Sequence, residues 1–217
     1  MADNTPQYRI IRAGESRSFT DDHPLCTGAG DEGAVLVILG KDAGAAFRKV
    51  RERYAAVVIE LGAECLGVHT GEARAEEGSN VLGFARYVQG GAPPTNLVEL
   101  VRQPKTSEEA LTAARAVFEA AGLQVAVCRD FAGRIVDRLV RPYYNAALRR
   151  LDEGLATADD LDKTLKLGLG YPRGPIDLLE ATGLHHHYDV TQALFEAYGD
   201  PAYAPARRAR VAKQRQP

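Results

Sequence analysis

Only three cysteines occur in the 217 residues, Cys26, Cys65 and Cys128, and no two of them stand at CxxC spacing. An odd, scattered set excludes a disulfide framework and a zinc site built on paired cysteines, so the expected compartment is reducing and intracellular. A surplus of either charge is also missing: 27 basic and 29 acidic residues leave a net charge of -2. Without a basic excess nothing steers the chain toward nucleic acid or an anionic membrane. The strongest apolar run, Ala34 to Leu39, is far below the ~18 residues that span a bilayer and lies too far in for a signal peptide. The expectation is a soluble, cytoplasmic protein.

What is present is an ordinary globular composition, 45% apolar and 26% charged, sufficient for one compact domain or two small ones. Tyr8 to Arg12 and Ala34 to Leu39 are short, β-branched and bounded by glycine or charge, which predicts strands. Asp42 stands as an N-cap ahead of AGAAFRKVRERY, whose Ala45, Phe47, Val50 and Tyr54 predict a helix with one buried stripe. Ala55 to Leu61, Leu66 to His69, Val81 to Tyr87 and Leu97 to Val101 read as further strands. Thr106, Ser107 and Glu109 form a capping pattern before an apolar helix that stops at Gly122, and LQVAVC from Leu123 is one more strand.

Strands alternating with helices imply an α/β layer architecture up to about Asp130. Beyond it the period changes. Ile135, Leu139, Tyr143, Ala146, Ala147 and Leu151 recur every three or four residues, predicting a long helix that ends near Gly154, and Thr157 caps the next. The turn GLGYPRGP, Gly168 to Pro175, breaks that helix, and helical stretches follow at Ile176 to Ala181 and about Tyr188 to Tyr198.

The string FAGRIVDRLVRPYYNAALRRLDEGLATADDLDKTLKLGLGYPRGPIDLLEATGL, Phe131 to Leu184, closely resembles the C-terminal helical domain of the NAD-dependent 3-hydroxyacyl-CoA dehydrogenases, without a gap. Asn96 to Asp130 resembles the last strand, helix and strand of that family's dinucleotide-binding domain. Between Ala34 and Asn96 the likeness is loose, and before Ala34 there is none. The implied fold class is α/β: a shortened Rossmann-like sheet domain over residues 1–130, followed by an all-α helical dimerisation domain over 131–217.

The resemblance also implies a chemistry to look for. Oxidising a 3-hydroxyacyl-CoA needs a base for the hydroxyl proton, a group orienting that base, and a nicotinamide facing the carbon. Glu99 in LVEL matches the family's glutamate. The histidine that partners it is absent, with Ala85 or Tyr87 near its position. The asparagine of GFIxNR is Asp137 in GRIVDR, exchanging an amide that can donate for a carboxylate that at pH 7 only accepts. The family's substrate-contacting serine falls near Gly71, beside His69 and Thr70.

Candidate catalytic residues are therefore Glu99, with His69 or Tyr87 as a relocated base, and candidate substrate contacts are Asp137, Thr70 and Arg86. Arg86, Arg102, Lys105, Arg129 and Arg134 offer cations for a CoA phosphate, although scattered surface charge is the commoner explanation. GAGDEG, Gly28 to Gly33, satisfies GxGxxG but precedes a strand instead of opening a helix, so it is not read as a cofactor loop. His185, His186 and His187 point about 100° apart on a helix and form no metal site.

Two functional readings stay open. One is a truncated relative that lacks a complete NAD site and binds an acyl-CoA or a partner; the other is an active oxidoreductase that uses NAD. The resemblance also implies a homodimer burying Tyr143, Tyr144, Leu165 or Leu167.

Overall fold

The computed structural model describes residues 6–71 and 80–216. They form two compact units, one from the described residues of Met1–Tyr87 and Pro94–Arg134, the other from Val88–Pro93 and Ile135–Pro217. Among the described residues no helix is long and apolar enough to cross a membrane.

The first unit is built on six strands: β1 (Tyr8–Arg12), β2 (Val35–Leu39), β3 (Ala56–Glu60), β4 (Val81–Arg86), β5 (Leu97–Arg102) and β6 (Gln124–Arg129). They lie side by side in chain order. β1 to β4 are parallel, β5 turns antiparallel to β4, and β6 runs parallel to β5. The central β2 and β3, VLVIL and AVVIE, are buried throughout. Continuous β-branched runs of this kind suit a parallel sheet covered on both faces.

One face packs Val37, Leu39, Val58, Phe84 and Leu100 under the helix α4, Glu108–Ala120. Ser107 caps that helix by accepting from the Ala110 N–H, and Phe19, Phe84 and Phe118 meet with ring centroids 5.0 to 6.4 Å apart. The opposite face packs Leu36, Ile38, Ile59, Val81 and Val101 under two short helices, α2 (Ala43–Phe47) and α3 (Gly67–Thr70).

Both short helices correct the sequence reading. The helix expected after Asp42 to run toward Tyr54 stops at Phe47. The Arg51 guanidinium donates to the carbonyls of Arg48 (2.8 Å) and Val50 (3.0 Å), and the next turn tightens into bonds three residues apart. Phe47, Val50 and Tyr54 still pack on the sheet. The strand expected at Leu66 to His69 is a helical turn, because the Asp130 carboxylate accepts from the N–H groups of Leu66 (2.6 Å) and Gly67 (2.8 Å). That cap comes from a distant part of the chain, and local pattern does not contain it.

The second unit is all helical: α5 (Val136–Asp152), α6 (Ala158–Leu169), α7 (Pro175–Thr182), α8 (Leu184–Tyr198) and α9 (Arg207–Gln214), with a 3-10 turn at Pro201–Tyr203. α5 carries Pro142 in its interior, which removes one N–H, and the Tyr203 hydroxyl donates to the Arg138 carbonyl so released (3.3 Å). Thr157 caps α6 by accepting from the Asp160 N–H, as its spacing predicted. The glycine-rich turn has a packing cause: a Cβ on Gly174 would lie 2.1 Å from Asp162, whose carboxylate caps α7 through the N–H groups of Ile176 (2.9 Å) and Asp177 (2.8 Å).

Candidate functional site

Glu99, the carboxylate singled out in LVEL, sits on β5 with 3% of its side chain exposed and faces Arg134, whose Nε lies 3.6 Å from Oε2. The Arg134 guanidinium also donates to the carbonyl of Gly62 (2.7 Å) and more weakly to that of Glu64 (3.4 Å). Arg134 has φ +50°, a left-handed conformation that costs a side-chain-bearing residue about 1–2 kcal/mol. Its ties to Glu99 and to the loop after β3 oppose that cost. Across the sheet the partner of Glu99 is Ala85, which has no titratable group. Beside the pair the Cys128 thiol is pushed up to about 11 by burial and by the Glu99 charge, so it is not a ready nucleophile.

The loop that Arg134 holds carries a second acid and base. His69, on α3, places Nε2 3.2 Å from Glu64 Oε1. The same carboxylate oxygen accepts from the Gly62 N–H at 3.0 Å. Burial opposes the ionisation of Glu64, but the hydrogen bonds from His69 and from the N–H groups of Gly62 and Glu64 prevail and hold its pKa at about 2. An ionised Glu64 can only accept, so the proton between them is carried by His69 Nε2.

Two glycines leave room for this pair. A Cβ on Gly44 of α2 would lie 2.0 Å from His69 Nδ1, and one on Gly62 would lie 2.6 Å from Glu64 Oε2. The segment is tied from below as well. Asp130 caps α3, and the buried Gln103 amide donates to Asp130 (3.0 Å) and to the Thr70 hydroxyl (3.0 Å). The dyad lines a cavity of about 200 Å³, together with Arg17, Gly40, Lys41, Glu60 and Leu61.

The remaining sequence candidates are placed elsewhere. Arg86 donates to the carbonyls of Ser18 (2.6 Å), Thr95 (2.7 Å) and Pro94 (3.3 Å) and stacks over Phe19, which makes it a tie between loops. Thr70 is engaged with Gln103. Tyr87 is half-buried just beyond β4, its carbonyl accepting from the Thr95 N–H. Asp137 lies in the helical unit, where it accepts from Arg141 Nε at 2.7 Å. Of the candidate cations for a CoA phosphate, Arg134 is buried and Arg102 reaches Glu108 and the Thr106 carbonyl. Sequence reasoning does not find Glu64: it lies between the segments that read as strands, Ala55 to Leu61 and Leu66 to His69, and nothing local marks it as a partner of His69.

The fit of NAD can be tested on the glycine turns. Gly30 already donates its N–H to the Tyr8 carbonyl, and a Cβ on Gly33 would lie 2.5 Å from Tyr8 Cα, so GAGDEG packs against β1 and cradles nothing. Among the described residues the only helix between β1 and β2 is α1 (Pro24–Thr27), one turn long. After β2 the Gly40 N–H donates to the Glu60 carboxylate at 2.6 Å, so a negative group of the chain itself engages that donor. Dinucleotide folds hold the pyrophosphate at a glycine turn opening a helix, at a point where the strand order reverses. Here the order runs from β1 to β6 without reversal. The described residues do not fit the dinucleotide. Nor is any group of three or more His, Cys, Asp or Glu placed among them to hold a metal ion.

A mostly parallel sheet unit combined with an all-helical unit defines the class, a Rossmann-like domain joined to a helical domain. Residues 133–216 match the model of the 3-hydroxyacyl-CoA dehydrogenase C-terminal domain. The 3-hydroxybutyryl-CoA dehydrogenase of Bradyrhizobium diazoefficiens is 35% identical over 113 residues, 52% of this chain and 39% of that protein. The mitochondrial hydroxyacyl-coenzyme A dehydrogenase of Homo sapiens is 39% identical over 106 residues, 49% of this chain and 32% of that one. These matches span about two fifths or less of each relative's length. The fold is similar to the crystal structure of (S)-3-hydroxybutyryl-CoA dehydrogenase from Ralstonia eutropha, with a TM-score of 0.69 and 22% identity, covering 84% of this chain and 68% of that one.

Proposed function

We propose that this chain is a relative of the 3-hydroxyacyl-CoA dehydrogenases of acyl-CoA, or fatty-acid, metabolism that binds an acyl-CoA without itself transferring hydride. The observation that carries this reading is the buried Glu99–Arg134 pair. The carboxylate that would orient a catalytic imidazole is neutralised by a guanidinium, and its cross-strand neighbour is Ala85. Catalysis of hydride transfer needs base, orienting group and nicotinamide together. The second reading, an oxidoreductase interconverting 3-hydroxyacyl-CoA and 3-ketoacyl-CoA with NAD, is favoured by one feature, the His69–Glu64 contact.

Calorimetry with NADH, in the presence and absence of acetoacetyl-CoA, separates the two. The expected result is no heat of NADH binding up to millimolar cofactor, with acetoacetyl-CoA still bound. Micromolar NADH binding accompanied by NADH consumption would overturn the proposal in favour of the second reading.

The reading includes a homodimer through the helical unit. Tyr144 is buried inside its own chain, packed with Leu148, Ile176 and Leu179, so it is not offered to a second copy. Leu167, Leu169 and Tyr171 are exposed at the end of α6, and they supply an apolar surface for one. Leu167→Glu is expected to shift the mass measured by light scattering from dimer to monomer while the circular dichroism spectrum is retained. An unchanged mass in the variant would argue against this face.

A further inference from the structure

We propose that Glu60 fills, from within the chain, an anion-binding hole at the C-terminal end of the sheet, and that this occupancy closes the hole to the phosphates of a ligand. Glu60 is the last residue of β3 and is 6% exposed. Its carboxylate accepts from the Gly40 N–H (2.6 Å), the Ser18 N–H (2.9 Å) and the Ser16 hydroxyl (3.0 Å). These donors come from two loops, one after β1 and one after β2. Among the described residues no lysine or arginine forms an ion pair with the carboxylate. Backbone N–H groups and a hydroxyl converging on one buried anion are the donor set of a phosphate or oxyanion hole.

The backbone sets these donors in place independently of Glu60. The Ala13 N–H donates to the Leu39 carbonyl (2.7 Å), and the N–H groups of Lys41 and Asp42 donate to the carbonyls of Glu15 (3.1 Å) and Ala13 (2.9 Å), so the two loops are laced together. Gly40 has φ +109°, and a Cβ on it would lie 2.3 Å from the Ala13 carbonyl oxygen, an approach that only glycine permits. The Ser16 hydroxyl accepts from the N–H groups of Ser18 (3.2 Å) and Phe19 (3.0 Å), which closes the first loop on itself. Glu60 and Gly40 both line the cavity of about 200 Å³, so removing the Glu60 side chain joins the donors to that space. The same wall carries Glu64, engaged with His69, and two exposed cations, Arg17 and Lys41, neither of which is in an ion pair among the described residues. Ligands of open α/β sheets are met outside the carboxyl ends of the strands, and this is that end of β1, β2 and β3. A tethered carboxylate competes there at a high effective concentration, so a free phosphate or pyrophosphate group does not displace it. Glu60 is thus a specificity-determining residue, one that excludes phosphate-bearing ligands from this end of the sheet. For the claim that NAD is among the excluded ligands, the inference rests on the reading of the previous section.

The test uses inorganic pyrophosphate as the probe, with the whole chain, by calorimetry and thermal unfolding. Wild type is expected to show no binding and no shift of its unfolding temperature. Glu60→Ala is expected to bind pyrophosphate at least about 10-fold more tightly than wild type, the worth of one hydrogen bond to a charged group, and its unfolding temperature is expected to rise with pyrophosphate concentration. Glu60→Gln is neutral but of the same shape, so it still fills the hole and is expected to bind no better than wild type. Equal gains in the two variants would mean that repulsion, not occupancy, keeps the anion out, and would overturn the proposal. So would a Glu60→Ala that pyrophosphate neither binds nor stabilises. NMR of the wild-type protein gives a check that no variant's folding can obscure: the Gly40 and Ser18 amide resonances are expected to stay in place through a pyrophosphate titration, and shifts at both would show the hole open to a free anion and overturn the closure. Wild-type binding of NADH with these amides unmoved would remove the reading of the previous section while upholding the closed hole.

Discussion

Replacing Arg134 by alanine is expected to destabilise the sheet unit by about 3–5 kcal/mol, because it removes the cation facing the buried Glu99 carboxylate, 3% exposed. The loss has several sources. The guanidinium faces Glu99 and donates to the Gly62 carbonyl, so truncation removes the counter-charge and a loop anchor together. Arg134→Gly is expected to lose about 1 kcal/mol less than Arg134→Ala, since glycine adopts the φ of +50° without the Cβ clash. The double variant Glu99→Gln with Arg134→Met is expected to recover most of the stability, as apolar or neutral replacement of both partners of a buried pair often does. Urea unfolding followed by circular dichroism measures all three. If Arg134→Ala unfolds at the same urea concentration as wild type, the pair is not buried as described. The proposed loss of the dehydrogenase dyad would then have no structural basis.

The second large effect concerns the helical unit and pH. In its interior Arg141, 1% exposed, links Asp137 to His187, and His187 links to Asn145, which donates to the Thr191 hydroxyl and the Ala202 carbonyl. An arginine can only donate, so His187 Nδ1, 3.2 Å from it, must accept, and Nε2–H donates to the Asn145 carbonyl oxygen at 3.0 Å. The network therefore requires a neutral ring. Burial, reinforced by the Arg141 charge, lowers the His187 pKa from 6.5 to about 3.

The unfolded chain binds the proton at 6.5 and the folded chain only near 3, so between these values the unfolded state holds more protons. The contribution of neutral His187 to stability is present above 6.5 and is lost as pH falls toward about 3, at up to about 1.4 kcal/mol per pH unit. Between pH 7 and 4.5 wild type is expected to lose about 2–3 kcal/mol more unfolding free energy than His187→Gln, whose side chain does not titrate. Parallel losses in the two proteins would contradict the assignment. Glu64 titrates in a lower window. Its pKa is depressed from 4.5 to about 2, so its contribution to the sheet unit persists above 4.5 and disappears only as pH falls toward 2.

Much of the fold was legible in sequence because the signals are local. The five apolar residues of VLVIL can bury both faces only inside a covered sheet, and the Thr157–Asp160 spacing puts an acceptor next to the N–H it caps. The candidate site was less legible. His69 was singled out, but on a strand, and the turn that carries it exists because Asp130 reaches back across 64 residues of chain to cap it. Glu99 stands out in the sequence through LVEL, whereas Arg134 is one of several cations and nothing local ties it to Glu99. Glu64 had no signal, since its role depends on Gly44 leaving space for an imidazole from another loop.

By itself the sequence determined the strands, the long helices, their caps and the likeness of the helical domain to one family, all properties of neighbouring residues and their periodicity. Only the tertiary structure decided which charges meet. That decision pairs Glu99 with Arg134 and His69 with Glu64, and it holds His187 neutral beside Arg141. The physical reason is that burial and distance set whether a carboxylate or an imidazole is ionised, paired or poised to react, and both are established only when distant segments pack together.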